Sequence, residues 1–185
     1  MNDRIDLNLA GNVVKIKLIN APTDKDWVEV KRRALVTVGK TPISVPNSEW
    51  RFKILRARHS PIRYLVYSYQ IDGIPYWVAT HLVRHHVGFQ PYQKSQRNDR
   101  QTEYDRNAAR QDSPVNMIID VNAEALQVIA NKRLCMQASK ETREVVREMC
   151  RLAVENTPEL ESLLVADCAR HGMKCYEMFP CGRCK

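Results

Sequence analysis

The sequence lacks any long hydrophobic run. Its first twenty residues contain no uninterrupted apolar core of a secretory signal, and no segment elsewhere approaches the roughly 18 apolar residues that span a membrane. These absences argue against secretion and membrane insertion, so we expect a soluble cytoplasmic protein. Internal repeats and low-complexity tracts are also missing, and 185 residues with 44% hydrophobic content suffice for one globular core.

Acidic residues are scarce relative to basic ones. Asp and Glu number 21 against 29 Lys and Arg, which gives a formal net charge of +8 at pH 7. This surplus favours anionic partners, namely nucleotides, nucleic acids or phosphorylated cofactors. The sign of the charge does not choose among them.

Four of the six cysteines lie in the last 18 residues, at Cys168, Cys175, Cys181 and Cys184. Clustered thiols in a chain without a secretory signal indicate metal binding more than disulfides. Four thiolates, or three with His171, match the ligands of tetrahedral zinc, and iron is an alternative. A set of reduced surface thiols is the other interpretation. We expect an α+β domain over residues 1–165 and a cysteine-rich metal-binding tail over residues 166–185.

Hydrophobic periodicity predicts a mixed fold. Alternation and β-forming residues predict strands at 13–19, 64–71 and 115–121, with a turn at 72–73. Capping residues and apolar spacing predict helices that begin near residues 24, 48, 75, 122, 139 and 157. Asp24, Ser48, Asn122 and Ser139 are the expected caps. The polar stretch 88–113 is predicted to be a loop or a solvated helix.

The densest group of functional side chains is THLVRHH at 80–86, followed by SQR at 95–97. On a helix, His81, Arg84 and His85 share one face, because residues three and four apart are neighbours. Arginine offers a planar fork for phosphate, and a neutral imidazole donates to a carbonyl or stacks on a ring. A solvated polar face is the alternative. The spacing of the two histidines also suits a metal, but no third ligand follows nearby.

The order of motifs resembles that of the flavin-dependent thymidylate synthases. HSP at 59–61 precedes a strand and a helix ending in RHH at 84–86, where that family has Arg-His-Arg, and SQR at 95–97 matches its Ser-x-Arg region. In a second block, VNAE at 121–124 and the later Arg133 resemble the family's Val-Asn-Ala-Arg and the arginine after it. The resemblance covers most of the chain.

The resemblance implies a sheet packed with helices, assembled as a homotetramer with sites between subunits. It also implies reductive methylation of C5 of dUMP, or another modification of a related pyrimidine nucleotide. A tetrahydrofolate derivative would donate the carbon, reduced FAD the hydride, and NADPH would serve as a co-substrate.

The same resemblance assigns roles to eight residues. Arg133 is the expected catalytic residue that polarises the pyrimidine, while Ser95 and Arg97 hold the phosphate. The nucleotide-binding set is His81, Ser95, Arg97 and Arg133, and the cofactor-binding set is Arg84, His85, His86 and Asn122.

The sequence departs from the family at positions near the flavin. His86 and Glu124 stand where the family has arginines, and Pro91-Tyr92 replaces its Asn-Glu pair. We therefore expect a shortened, divergent member with weakened FAD binding. The alternative is a nucleotide- or nucleic-acid-binding protein without flavin that carries a zinc tail. Flavin bands in the visible spectrum distinguish the two hypotheses.

Overall fold

The fold is built on an antiparallel five-stranded sheet with the order β1-β2-β3-β5-β4. The computed structural model describes residues 4–41, 44–100 and 105–184. The strands are β1 (Arg4–Leu9), β2 (Asn12–Asn20), β3 (Val66–Pro75), β4 (Phe89–Gln93) and β5 (Pro114–Asn122). The helices are α1 (Asp24–Val36), α2 (Ser48–Ala57), α3 (Tyr76–Leu82), α4 (Ala123–Arg133), α5 (Lys140–Asn156) and α6 (Asp167–Arg170). The expected combination of helices and sheet is confirmed.

Alternate residues of β3 face the core. Tyr67, Tyr69 and Ile71 are fully buried, which is the period-two pattern of a strand with one face against helices. Both tyrosine hydroxyls donate a hydrogen bond to the helical side of the sheet: Tyr67 donates to Thr157 Oγ1 over 2.8 Å and Tyr69 to the Met149 carbonyl over 2.9 Å. These bonds fix α5 and its end against the sheet, since a buried hydroxyl is costly without a partner.

The predicted turn at 72–73 is wrong. β3 continues to Pro75 through a bulge, with the register against β5 shifting between Ile71 and Ile74. Gly73 adopts φ +76° there, and its N–H donates to the Asn116 side chain over 3.0 Å. A left-handed glycine inside a strand lets the ladder absorb an extra residue instead of reversing the chain.

Two predicted caps are displaced by one residue. Thr23, not Asp24, is the N-cap of α1, and the Asp26 carboxylate accepts from both the Thr23 N–H and its hydroxyl at 2.8 and 2.7 Å. The cap of α2 is Asn47, not Ser48; its side chain accepts from the N–H of Trp50 over 3.0 Å. In both cases the preceding polar residue has the extended backbone that a cap requires.

The other two predicted caps are confirmed. The Asn122 side chain accepts from the Ala125 N–H over 2.9 Å at the start of α4. The Ser139 hydroxyl accepts from the Thr142 N–H over 3.3 Å at the start of α5. The cap of α4 also ends β5, so the strand passes directly into the helix.

The polar stretch after residue 88 contains a strand that the sequence did not predict. β4 pairs antiparallel with β5, with Phe89 opposite Val121. Phe89 is buried while Tyr92 is exposed, so the strand lies at the edge of the sheet and needs few apolar residues.

The helix predicted after residue 157 is only a 3-10 turn, Pro158–Leu160. Leu160, Leu163 and Leu164 are nevertheless buried. A short turn is enough to place these leucines against the core. In the described part of the chain, no helix combines the length and the apolar character needed to cross a bilayer.

Candidate functional site

The histidine and arginine cluster does not share a helix face as predicted, because α3 ends at Leu82. Arg84, His85 and His86 lie in the connection between α3 and β4, where the His85 N–H donates to the Leu82 carbonyl over 3.0 Å. Only His81 remains in the last turn of the helix. The cluster is therefore assembled by tertiary contacts.

Arg133, at the end of α4, joins the members of this cluster. Its Nε–H donates to Nε2 of His85 over 3.0 Å, and Nη2 donates to the main-chain carbonyl of His81 over 2.9 Å. The second bond satisfies a carbonyl at the C-terminal end of α3, which an arginine is suited to do. Two of the five N–H groups of the guanidinium are thus used, and the described contacts show no partner for the others.

His85 is held as a neutral base. Burial is the main cause, and with the charges of Arg133 and His86 it lowers the pKa of His85 from 6.5 to about 4. Since Nε2 accepts from Arg133, the hydrogen-bond pattern assigns the ring proton to Nδ1. The ring lies tilted against Phe89, with centroids 6.3 Å apart. A neutral imidazole whose Nδ1–H has no partner among the described hydrogen bonds can donate to a carbonyl or a ring nitrogen.

Arg133 is a half-buried cation without a carboxylate partner among its described contacts. Burial and the nearby charge of Arg84 both lower its pKa from the usual value, which still leaves it charged at neutral pH. Buried charges in proteins are normally paired or bound to an ion. Arg133 lies near Arg84, and the described partners of Arg133 are neutral. The two arginines therefore form a positively charged site that suits an anion.

His81 is fixed by a different set of contacts. Its Nδ1 lies 3.0 Å from the Thr142 hydroxyl, and its ring meets Trp77 edge-on at 5.4 Å. Burial is the largest cause of a lowered pKa of His81, followed by the charges of Arg133 and Arg84. One ring nitrogen is thus engaged in the contact between α3 and α5, so a ligand contact by this residue would use Nε2.

The four residues predicted for the cofactor line two adjoining pockets. Arg84, His85 and His86 line one of about 320 Å³, and His86 and Asn122 line the other, of about 260 Å³. His86 belongs to both, as does Arg63. The fold thus brings together residues from the α3–β4 connection and from the junction of β5 and α4.

Arg63 is a residue of this site that the sequence interpretation missed. Its Nε donates to the carboxylate of Glu124 in a 2.5 Å ion pair, and both residues line the 320 Å³ pocket. Arg63 follows the HSP turn at 59–61 by two positions, so extending that motif would have found it. The ion pair offsets the negative charge of Glu124. From the sequence alone, this charge is expected to repel an anionic cofactor.

Gly88 shapes the smaller pocket through close contact with Asn122. Gly88 adopts φ +69°, and a Cβ placed on it would lie 2.2 Å from Nδ2 of Asn122. The Asn122 N–H donates to the Gly88 carbonyl over 2.9 Å. Asn122 is therefore held by two contacts, the helix-capping bond of its side chain and the main-chain bond to Gly88, which directly precedes β4.

Ser95 and Arg97 are exposed and follow β4 in the chain. Arg97 is exposed, and its Nε donates to Asp99 over 2.9 Å. The Ser95 hydroxyl accepts from the Arg97 N–H over 3.3 Å. Neither residue lines the two pockets, and neither does Arg133.

The four C-terminal cysteines lie near one another. A hydrogen bond with Cys168 is the largest cause that raises the pKa of Cys184 to about 11, and the thiols of Cys175 and Cys181 act in the same direction. All four are unpaired. As the described side chains lie, no group of three or more His, Cys, Asp or Glu residues is arranged to hold a metal ion.

A larger cleft of about 780 Å³ lies between α1, α2 and the 3-10 turn Ser60–Tyr64. Trp50, Lys53 and His59 are among its lining residues. None of the eight residues predicted for nucleotide or cofactor binding lines it.

Comparison with solved structures establishes the kind of fold. The chain is similar to thymidylate synthase X (ThyX) from Helicobacter pylori, solved with FAD and dUMP, with a TM-score of 0.65 over 84% of this chain and 99% of that one. Sequence identity is 15%, so the similarity is one of fold. No protein-family model and no curated protein matches the sequence.

Proposed function

We propose that the protein is a divergent thymidylate synthase-like enzyme that binds dUMP or a related pyrimidine nucleotide and modifies its C5 with FAD. The observation that carries the proposal is Arg133: a half-buried cation beside Arg84 whose described partners are the neutral His85 ring and a carbonyl. An anionic pyrimidine nucleotide supplies the missing negative charge. The fold shared with a protein solved with FAD and dUMP supports this ligand.

Arg133 has the position and the donors to polarise a uracil ring. Hydrogen bonds from a fixed guanidinium to a pyrimidine carbonyl stabilise negative charge as it develops on the ring. His85 orients Arg133 through the Nε bond, which a protonated imidazole cannot accept. The neutral state of His85 thus keeps the guanidinium oriented and cationic.

The residues of the two pockets suit a flavin in charge and chemistry. Arg84 would face the diphosphate, while His85 and His86 offer ring nitrogens. When bound, FAD supplies the hydride for reduction. Pockets of about 320 and 260 Å³ enclose only part of a dinucleotide, so we propose that a second subunit completes the site and adds Ser95 and Arg97, as a homotetramer would allow.

The test measures dUMP binding and turnover together. Isothermal titration calorimetry of the unaltered protein should show dUMP binding, and Arg133→Ala should weaken it by about 1.5–3 kcal/mol, the cost of a lost charged hydrogen bond. Arg32→Ala is a matched control, since Arg32 is exposed on α1 and paired with Glu29. Formation of dTMP from dUMP with methylenetetrahydrofolate, FAD and NADPH tests the reaction.

A flavin-free binding protein is the second candidate. The Arg63–Glu124 ion pair favours this candidate, because the guanidinium of Arg63 is bound to Glu124 and is not available to a flavin diphosphate. Colourless protein that binds oligonucleotides in a salt-sensitive way, without dTMP formation, would replace the first proposal with this one.

A further inference from the structure

Thr142, in the first turn of α5, has a fully buried hydroxyl beside the ring of His81. Its Oγ1 lies 3.0 Å from Nδ1 of His81 and accepts a hydrogen bond from the Ser139 hydroxyl over 2.8 Å. The helix does not need this hydroxyl to begin, because its cap uses the Ser139 oxygen and the Thr142 N–H. The Thr142 hydroxyl therefore joins the start of α5 to a histidine of the proposed site.

The number of donors in this chain of contacts fixes the position of the His81 proton. A hydroxyl has one proton to donate, and the Ser139 hydroxyl donates its proton to Thr142. The Thr142 proton is then directed to Nδ1 of His81, which is the acceptor. In the reverse order, the Ser139 proton would have no partner among the described hydrogen bonds. The ring proton of a neutral His81 therefore lies on Nε2.

The surroundings of His81 favour the neutral ring. Burial is the largest cause that lowers the pKa of His81 from 6.5, followed by the charges of Arg133 and Arg84. The edge-on contact with Trp77, with ring centroids 5.4 Å apart, holds the plane of the imidazole. Nε2 has no partner among the described hydrogen bonds, so its N–H can donate to a ligand.

His81 lies next to the cations of the proposed nucleotide site. Nη2 of Arg133 donates to the main-chain carbonyl of His81 over 2.9 Å, and Arg133 and Arg84 are close enough to lower the pKa of its ring. An arginine side chain offers only donors, and a neutral His81 with its proton on Nε2 adds another. This group of donors suits a ligand that presents acceptors, such as the carbonyl oxygens of a pyrimidine base.

We propose that Thr142, supported by Ser139, is a positioning residue that fixes His81 as an Nε2–H donor to a carbonyl oxygen of the pyrimidine base. The ligand in this proposal rests on the proposed function, whereas the tautomer is a property of the protein without ligand. Without the Thr142 hydroxyl, the His81 ring would populate both tautomers. Part of the population would then present an unprotonated nitrogen to the carbonyl oxygen, where two acceptors repel each other.

The first measurement is the nitrogen NMR shifts of the His81 ring in the isotope-labelled, ligand-free full chain at neutral pH, assigned with His81→Gln. We expect a protonated Nε2 and an unprotonated Nδ1. A proton on Nδ1, or on both nitrogens, would overturn the proposal whatever the folding of the variants. In Thr142→Val, which lacks the hydroxyl at similar shape, both shifts should move toward the average of the two tautomers. Thr142→Ser should restore the single tautomer, and unchanged shifts in Thr142→Val would contradict the role of Thr142.

The second measurement is calorimetry with dUMP. Thr142→Val should weaken binding about 2- to 10-fold, the range expected for one lost hydrogen bond, and Thr142→Ser should bind like the unaltered protein. Thr80→Val is the matched control, because it removes a hydroxyl that donates to the Trp77 carbonyl over 2.6 Å on α3 and should leave dUMP binding unchanged.

The two measurements separate this proposal from the proposed function. Equal dUMP affinity in Thr142→Val and the unaltered protein, with the single tautomer lost, would remove His81 from the base contact while leaving the nucleotide site in place. Absence of dUMP binding to the unaltered protein would overturn the proposed function and the base contact together. The ring shifts decide the tautomer in either case, because they are measured without ligand.

Discussion

The Nε–H of Arg133 donates to Nε2 of His85 over 3.0 Å, and this bond exists only while the imidazole is neutral. Protonation would replace the acceptor with a second cation beside a guanidinium. The arrangement therefore links the stability of the site to pH.

Stability should fall as the pH drops from about 6.5 to about 4. Burial, Arg133 and His86 lower the pKa of His85 to about 4, whereas the unfolded chain binds the proton near pH 6.5. In this window the unfolded state holds more protons, so the free energy of unfolding decreases with falling pH and is fully retained above it. Urea unfolding at several pH values measures how steeply the free energy of unfolding depends on pH, and this dependence should be weaker for His85→Gln than for the unaltered protein. Equal pH dependence in the two proteins would contradict this account.

Removing the Arg97 guanidinium should weaken dUMP binding by about 1.5–3 kcal/mol if a second subunit brings it to the phosphate. Asp99→Asn should have the opposite effect, because it releases Arg97 from its ion pair. Calorimetry of both variants checks the assignment. Undiminished binding in Arg97→Ala would remove Arg97 from the nucleotide site.

Replacing Glu124 should tighten FAD binding. Glu124→Gln removes a negative charge from the pocket and frees Arg63 for the diphosphate, and Glu124→Arg should tighten it further. The gain should shrink as salt rises, because screening weakens both effects. Flavin fluorescence titration measures the affinities, with the exposed Glu161→Gln as control. Identical affinity in Glu124→Arg and the unaltered protein would mean that Glu124 does not face the cofactor.

Gly88→Ala should destabilise the protein more than Gly39→Ala. Both glycines have positive φ, so both substitutions carry a backbone cost of about 1–2 kcal/mol. Only at Gly88 does the new Cβ meet Asn122, which should add about 1–3 kcal/mol through overpacking. The difference in free energy of unfolding between the two variants measures the contact. No difference would mean that Asn122 moves away freely.

The sequence by itself determined features set by neighbouring residues. Alternating apolar residues marked β2 and β5, and the caps Asn122 and Ser139 marked the starts of α4 and α5, because these signals act over a few positions. Motif order, read as a resemblance, also grouped Arg84, His85, His86 and Asn122, which line the adjoining pockets.

Only the tertiary structure decided which distant side chains meet. Arg63 pairs with Glu124 across 61 positions, and Arg133 reaches His85 across 48. The edge strand β4 likewise exists only because β5 supplies its hydrogen-bond partner, since Phe89 is its only buried residue. Such contacts depend on sheet order and on where each helix ends, which no local pattern specifies. The half-buried charge of Arg133, on which the proposed function depends, is a property of that assembly.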